Sequence, residues 1–128
     1  MPSLDLERTA SGPIVQAFSG TGFRVDGIVY PRGLKLTPLA ATGWTAPAIA
    51  DLVGGDLADL ADISPVPEFL ILGTGATLRR PARTIIAAVE GRGIGLEIMD
   101  SRAAARAWGV LRGEGRWVAA ALLPLDQP

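Results

Sequence analysis

In the stretch Phe69 to Pro81, FLILGTGATLRRP, an apolar run ends at Gly73-Thr74-Gly75, and a proline follows six residues after the second glycine. A glycine pair leaving a strand is how dinucleotide-binding loops bring backbone N–H groups against a pyrophosphate. Glu97 closes the next apolar run, about where an acid would hold a ribose hydroxyl. Two residues count against that chemistry. The third position of the fingerprint is Leu78, so close helix–strand packing is lost there. Pro81 delays the helix, so its positive end no longer abuts the glycines. No lysine follows the glycines as it does in a Walker loop. The plainer reading is that Gly73 and Gly75 adopt dihedrals a side chain forbids and turn the chain out of a sheet.

Composition narrows the chemistry further. The 128 residues contain neither histidine nor cysteine. That removes the commonest general base, thiolate nucleophiles, disulfides and every Ser-His or Cys-His arrangement. Catalysis would have to rest on carboxylates, arginines, Lys35, Tyr30 or hydroxyls. Asp56, Asp59 and Asp62 recur at helical spacing. Without histidine or a convergent fourth acid they do not compose a metal site. The residues point to no catalytic group, no metal and no cofactor.

Net charge is −1, which gives no footprint for nucleic acid. The charges are unevenly spread: residues 1–78 hold four basic and eight acidic side chains, and residues 79–116 hold eight basic and four acidic. This asymmetry is either a partner face or ordinary solvated charge in an arginine-rich composition. The longest apolar run, Trp117 to Leu125, is far short of the ~20 residues of a membrane span. The segment Met1 to Pro13 is polar, carries Asp5 and Glu7, and lacks the character of a signal or transit peptide. The expected compartment is the cytoplasm.

The elements that must position these residues follow from periodicity. Residues 1–12 read as a loose lead-in, and 13–128 as a single domain of a size that buries one core. Short β-type runs at Ile14–Phe18, Phe23–Val25, Ile28–Tyr30 and Leu34–Thr37, punctuated by glycines, predict an antiparallel meander. Asp56 can cap a short helix that Ser64-Pro65 ends. Phe69–Leu72 is a buried strand. Pro81 opens a helix whose Ala82, Ile85, Ile86 and Val89 share a face, with Gly91 and Gly93 beyond it. Ile94, Leu96 and Ile98 alternate as a strand. Asp100 or Ser101 then caps a helix with Ala104, Trp108 and Leu111 inward. Trp117–Leu123, apolar on both faces, predicts a central strand. This order argues for an α/β layered domain with a small β-rich N-terminal layer.

A right-handed crossover makes Phe69–Leu72 and Ile94–Ile98 neighbours, with Thr74 and Glu97 at the carboxyl edge of the sheet. A carboxylate there needs partners, and the glycine-loop N–H groups, Thr74 or Arg116 could supply them. Glu97 is then either a fixed ion pair holding loop to sheet or a reactive group. Glu114 and Arg116 raise the same choice, as inward-reaching charges or as turn charges.

The motifs LILGTG at Leu70–Gly75, Pro81, and GIGLEIMDSRAAARAWGVLRGEGRWVAAALLP at Gly93–Pro124 resemble the domain of unknown function 498, or Mth938-like, family. That family includes a mitochondrial complex I assembly factor and many small bacterial proteins. Gly73, Thr74, Gly75, Glu97, Glu114 and Arg116 match its pattern. Ala107-Trp108-Gly109 stands where relatives often carry Thr-Tyr-Asn, so a role resting on that asparagine does not carry over. The resemblance implies a central mixed five-stranded sheet with one antiparallel strand, flanked by helices and a β-rich layer. It also implies a non-catalytic protein that binds an unidentified protein partner, as a factor in assembling a membrane respiratory complex. The candidate cleft or partner-binding residues are Gly73, Thr74, Gly75, Arg79, Glu97, Glu114 and Arg116. The alternative is an anion- or small-molecule-binding enzyme, with Thr74 and Arg79 holding the anion and Glu97 as acid or base.

Overall fold

Asp26-Gly27 shows how locally the first sheet is specified. Both residues have positive φ, 51° and 80°. Their neighbours Val25 and Ile28 pair directly, so the turn is a two-residue hairpin of the kind whose twist suits antiparallel strands. The computed structural model describes residues 12–127. The expected lead-in over residues 1–12 lies outside the described residues except for Gly12. Strands β1 (Ala17–Ser19), β2 (Gly22–Val25) and β3 (Ile28–Tyr30) form an antiparallel sheet in that order.

The fourth run departs from the predicted meander. β4 (Leu34–Leu36) leaves the first three strands and enters a five-stranded sheet, where β5 (Ala41–Gly43) flanks it on one side. Leu34 and Leu36 are both fully buried, so the strand needs a larger hydrophobic surface than a three-stranded sheet supplies. Two 3₁₀ turns, Ile49–Asp51 and Gly54–Leu57, lead into the short helix α1 (Ala58–Ala61). Then follow β6 (Phe69–Gly73), α2 (Arg83–Glu90), β7 (Gly95–Met99), α3 (Ser101–Gly113) and β8 (Ala119–Leu122). The large sheet has the order β5-β4-β8-β6-β7. β6 pairs in parallel with both β7 and β8, and β4 runs antiparallel to its two neighbours. One strand in five is thus reversed.

β8 lies at the centre, and its two faces serve two cores. Ala120 and Leu122 pack with Ile71, Leu34, Leu36, Phe23 and the α3 residues Ala104 and Trp108. Ala119, Ala121 and Leu123 pack with Leu70, Leu72, Leu60, Ile85 and Val89 from the α1 and α2 side. Successive side chains point to opposite faces, so a run apolar at every position must be covered twice. Trp108 is fully buried and its Nε1 donates to the Pro13 carbonyl at 2.8 Å, tying the incoming chain to α3. Truncating such a residue to alanine costs about 3–5 kcal/mol.

Candidate functional site

Where β6 ends, every backbone donor of the glycine turn is already used. Thr74 N–H donates to the Met99 carbonyl at 2.9 Å, and Ala76 N–H to the Gln127 carbonyl at 2.9 Å. Between them, Gly75 N–H donates to Ser101 Oγ at 2.8 Å. The exchange is mutual: Ser101 N–H donates to the Gly75 carbonyl and Leu123 N–H to the Gly73 carbonyl, each at 2.9 Å. Ser101 Oγ in turn donates to the Leu123 carbonyl at 2.7 Å. Three consecutive N–H groups that would cradle a phosphate therefore point at their own chain.

The glycines are required by proximity. A Cβ on Gly73 would lie 2.9 Å from Ser101 Cα and 2.9 Å from Leu122 Cδ2. Gly75 has φ +103°, and a Cβ there would lie 2.5 Å from Gln127 Cβ. Thr74 is fully buried between them. Its Oγ1 donates to the Thr77 carbonyl at 2.7 Å and accepts from Arg79 N–H at 3.0 Å. The threonine thus sets the path of the loop from Ala76 to Ala82, and Arg79 is held there by its backbone while its side chain is exposed.

The remaining candidate residues lie elsewhere. Glu97 pairs in register with Ile71, two positions before the Gly73–Met99 pair, and its side chain is exposed on the edge strand. Among the described residues it meets neither Thr74 nor Arg116. The expected partnership fails because strand alternation sets a residue's face but not its height along the neighbouring strand.

Arg116 instead reaches Glu68 at the opposite end of β6. Its Nε lies 3.1 and 3.2 Å from the two carboxylate oxygens and its Nη2 2.9 Å from one of them. Trp117 N–H adds a bond to the same carboxylate at 3.1 Å. The hydrogen bond from Arg116, then that from Trp117 N–H, holds the Glu68 carboxyl below its ordinary value of 4.5. The Arg116 guanidinium is raised in return, chiefly by its hydrogen bond to Glu68. Glu114 is exposed at the end of α3, its N–H on the Val110 carbonyl at 3.1 Å. Apart from Glu97, which lies mid-strand, the candidate residues therefore fall at two ends of the sheet, separated by the five residues of β6, roughly 16 Å of strand.

Ser101 is the residue that spacing alone did not single out. Asp100 and Ser101 were equal candidates for the helix cap. Asp100 takes that role, its carboxylate accepting from Ala103 N–H at 2.9 Å, and this frees Ser101 to bond the corner. Buried Arg112 is another: a guanidinium N–H bonds the Arg116 carbonyl and closes the turn after α3. Three surface grooves lie away from all the predicted site residues. One of about 320 Å³ runs between the second 3₁₀ turn, α1 and α2, lined by Gly54, Ala58, Ala61, Ala88 and Arg92. One of about 300 Å³ lies between β3 and β5 beside Tyr30 and Trp44. One of about 210 Å³ separates β1 from α3. Among the described residues no helix is long and apolar enough to cross a membrane.

Known proteins share this arrangement. A Bordetella parapertussis protein of known structure superposes with a TM-score of 0.80 at 29% identity, over 88% of this chain and 95% of its own. A Bordetella pertussis protein described as a Mth938-like domain gives 0.77 at 25% identity, over 90% and 87%. An uncharacterised protein of Rhodobacter capsulatus is 35% identical, over 80% of this chain and 77% of its own. The NADH dehydrogenase [ubiquinone] 1 alpha subcomplex assembly factor 3 of Danio rerio is 28% identical, over 95% of this chain and 70% of its own. The model of the family described as a protein of unknown function (DUF498/DUF598) matches residues 15–123. The chain belongs to that family, and its fold is Mth938-like.

Proposed function

We propose that this chain is a non-catalytic, assembly-factor-like protein that works by binding a protein partner, in the cytoplasm and as a single domain over residues 13–128, to help build a membrane respiratory complex. One observation carries this reading: the similarity to a named assembly factor runs through 95% of the chain, including the glycine corner, rather than through one motif. The corner itself supports a binding role over a reactive one. Thr74 is fully enclosed, its hydroxyl and the N–H groups around it are spent on the chain, and Glu97 stands apart on an edge strand. Gly73, Thr74 and Gly75 then shape the fold, while Arg79, Glu97, Glu114 and Arg116 contribute surface to a partner.

The test is affinity capture of the tagged chain at native expression level, with a parallel deletion strain examined for assembled NADH dehydrogenase on a native gel. Subunits of that enzyme should come with the chain, and the deletion should lower the assembled complex while leaving individual subunits synthesised. Background proteins alone in the capture, with unchanged assembly in the deletion strain, would overturn the proposal.

A further inference from the structure

Three arginines stand within five residues where the chain leaves the glycine corner and enters α2: Arg79 and Arg80 on the loop and Arg83 at the start of the helix, all exposed. Leu78 beside them is 58% exposed. The ion pairs formed among the described residues engage Lys35, Arg92 and Arg116, and none of these three. Asp126, next to the Gln127 that packs on Gly75, is exposed and pairs with none of them. Asp100 is occupied with its helix cap. The first turn of α2 carries no acidic residue, so nothing on that helix end offsets the charge. The loop is also held in place. Thr74 Oγ1 bonds it at the Thr77 carbonyl and the Arg79 N–H, and Ala76 N–H is bound to Gln127.

We infer that the segment from Leu78 to the first residue of α2, Arg83, is a docking surface for an acidic protein segment, whose carboxylates pair with Arg79, Arg80 and Arg83 and whose apolar side chain covers Leu78. This rests on the binding-protein reading and names the surface that reading requires. Guanidinium groups match carboxylates in two-point hydrogen bonds, and the cluster contains no lysine. A loop already fixed by its own hydrogen bonds loses little freedom when a partner settles on it. An anionic lipid surface fits less well. Lipid-binding clusters carry about four to eight basic residues, usually with a larger apolar face to insert. Here there are three arginines and one leucine.

The test uses the full chain and a fluorescein-labelled peptide of about ten residues, rich in glutamate with a central leucine. The controls are its glutamine counterpart and phosphatidylglycerol vesicles. The glutamate peptide should bind, the glutamine peptide should not, and affinity should fall about tenfold between low and moderate salt as surface charges are screened. Reversing the loop with Arg79→Glu, Arg80→Glu and Arg83→Glu should weaken binding at least about tenfold. Reversing Arg24, Arg32 and Arg106, which are exposed elsewhere, makes the same change in net charge and should leave the affinity within about twofold.

Equal loss in both variants would reduce the effect to bulk charge and overturn the inference. So would no binding of the glutamate peptide, or retention on vesicles without peptide binding. The same two variants in the capture experiment separate this inference from the reading it rests on. A partner retained by the loop variant removes the docking surface and leaves the assembly-factor reading standing. Peptide binding with no effect of deletion on NADH dehydrogenase assembly does the reverse.

Discussion

Replacing Ser101 with alanine tests whether the glycine corner is a closed structural joint. The Ser101 hydroxyl is fully buried, accepts from Gly75 N–H at 2.8 Å and donates to the Leu123 carbonyl at 2.7 Å. Alanine keeps the backbone bond from Ser101 N–H to the Gly75 carbonyl but strands one buried donor and one buried acceptor. Each such orphan costs about 1–3 kcal/mol, and partial relaxation brings the pair to about 2–4 kcal/mol. The space released by one hydroxyl is smaller than the ~30 Å³ share of a water, so solvent does not replace the bonds. In urea, with a denaturant slope of about 1–3 kcal/mol per molar, the midpoint should fall by about 1–2 M. Thr77→Ala, at an exposed neighbour in the same loop, should stay within about 0.5 kcal/mol. A Ser101→Ala loss as small as that of Thr77→Ala would refute the reasoning. It would mean that Gly75 N–H finds another partner readily, and that the corner is open enough to receive an anion after all.

Gly73→Ala should cost about 1–3 kcal/mol, because the new methyl meets backbone at Ser101 Cα, 2.9 Å away, and adding Ser101→Ala should not restore stability. Thr74→Val keeps the shape but removes the bonds to Thr77 and Arg79; a stability loss of about 1–3 kcal/mol should be accompanied by faster amide exchange at Arg79. The Glu68 carboxyl is depressed in the folded protein, so its contribution is complete above its ordinary 4.5 and disappears as pH falls through the lower folded value. Glu68→Gln should therefore lower the melting temperature most near neutral pH, and the gap from the parent should close in acid; a gap that is constant with pH would contradict the ion pair. Removing residues 125–128 deletes buried Leu125 and its N–H bond to Thr21, along with the Gln127 carbonyl that Ala76 uses. The truncated chain should lose about 3–5 kcal/mol, with exposure of the Ala76 amide to exchange.

The second half of the fold was legible because periodicity and punctuation agree there. Phe69–Leu72, the helix after Pro81, the Ile94–Ile98 strand, the Ser101 helix and the central Trp117–Leu123 strand all occur, with ends shifted by a few residues. Asp26-Gly27 likewise announces its hairpin. The destination of Leu34–Leu36 was not legible, since a three-residue alternation states which face is buried but not which sheet receives it. The separation of Glu97 from Thr74 was not legible for a related reason. The crossover rule correctly puts β7 beside β6, yet register decides which side chains meet, and the crossover rule does not set the register. Arg116 stands between a helix stop and a central strand, a position that suits an inward-reaching charge and a turn charge equally. Glu68, the residue just before β6, lies beside it at the same end of the parallel pair and captures it.

That parallel pairing also explains why a sheet edge that usually holds a ligand does not offer one here. In open α/β sheets a crevice forms beyond the carboxyl ends of adjacent strands, where their connections part. β6, β7 and β8 all end at this edge, and the chain leaving β8 turns back across it: Leu123 bonds Gly73, Gln127 bonds Ala76, and Leu125 N–H reaches Thr21 at 2.7 Å. The tail thus lies where a phosphate would, and Ser101 joins it to the glycine turn. A corner filled from within cannot bind at its centre, but it can hold the loop outside it rigid. The nearest chemistry then belongs to Leu78, Arg79, Arg80 and Arg83, which the corner displays to solvent without carboxylates of its own to pair with them.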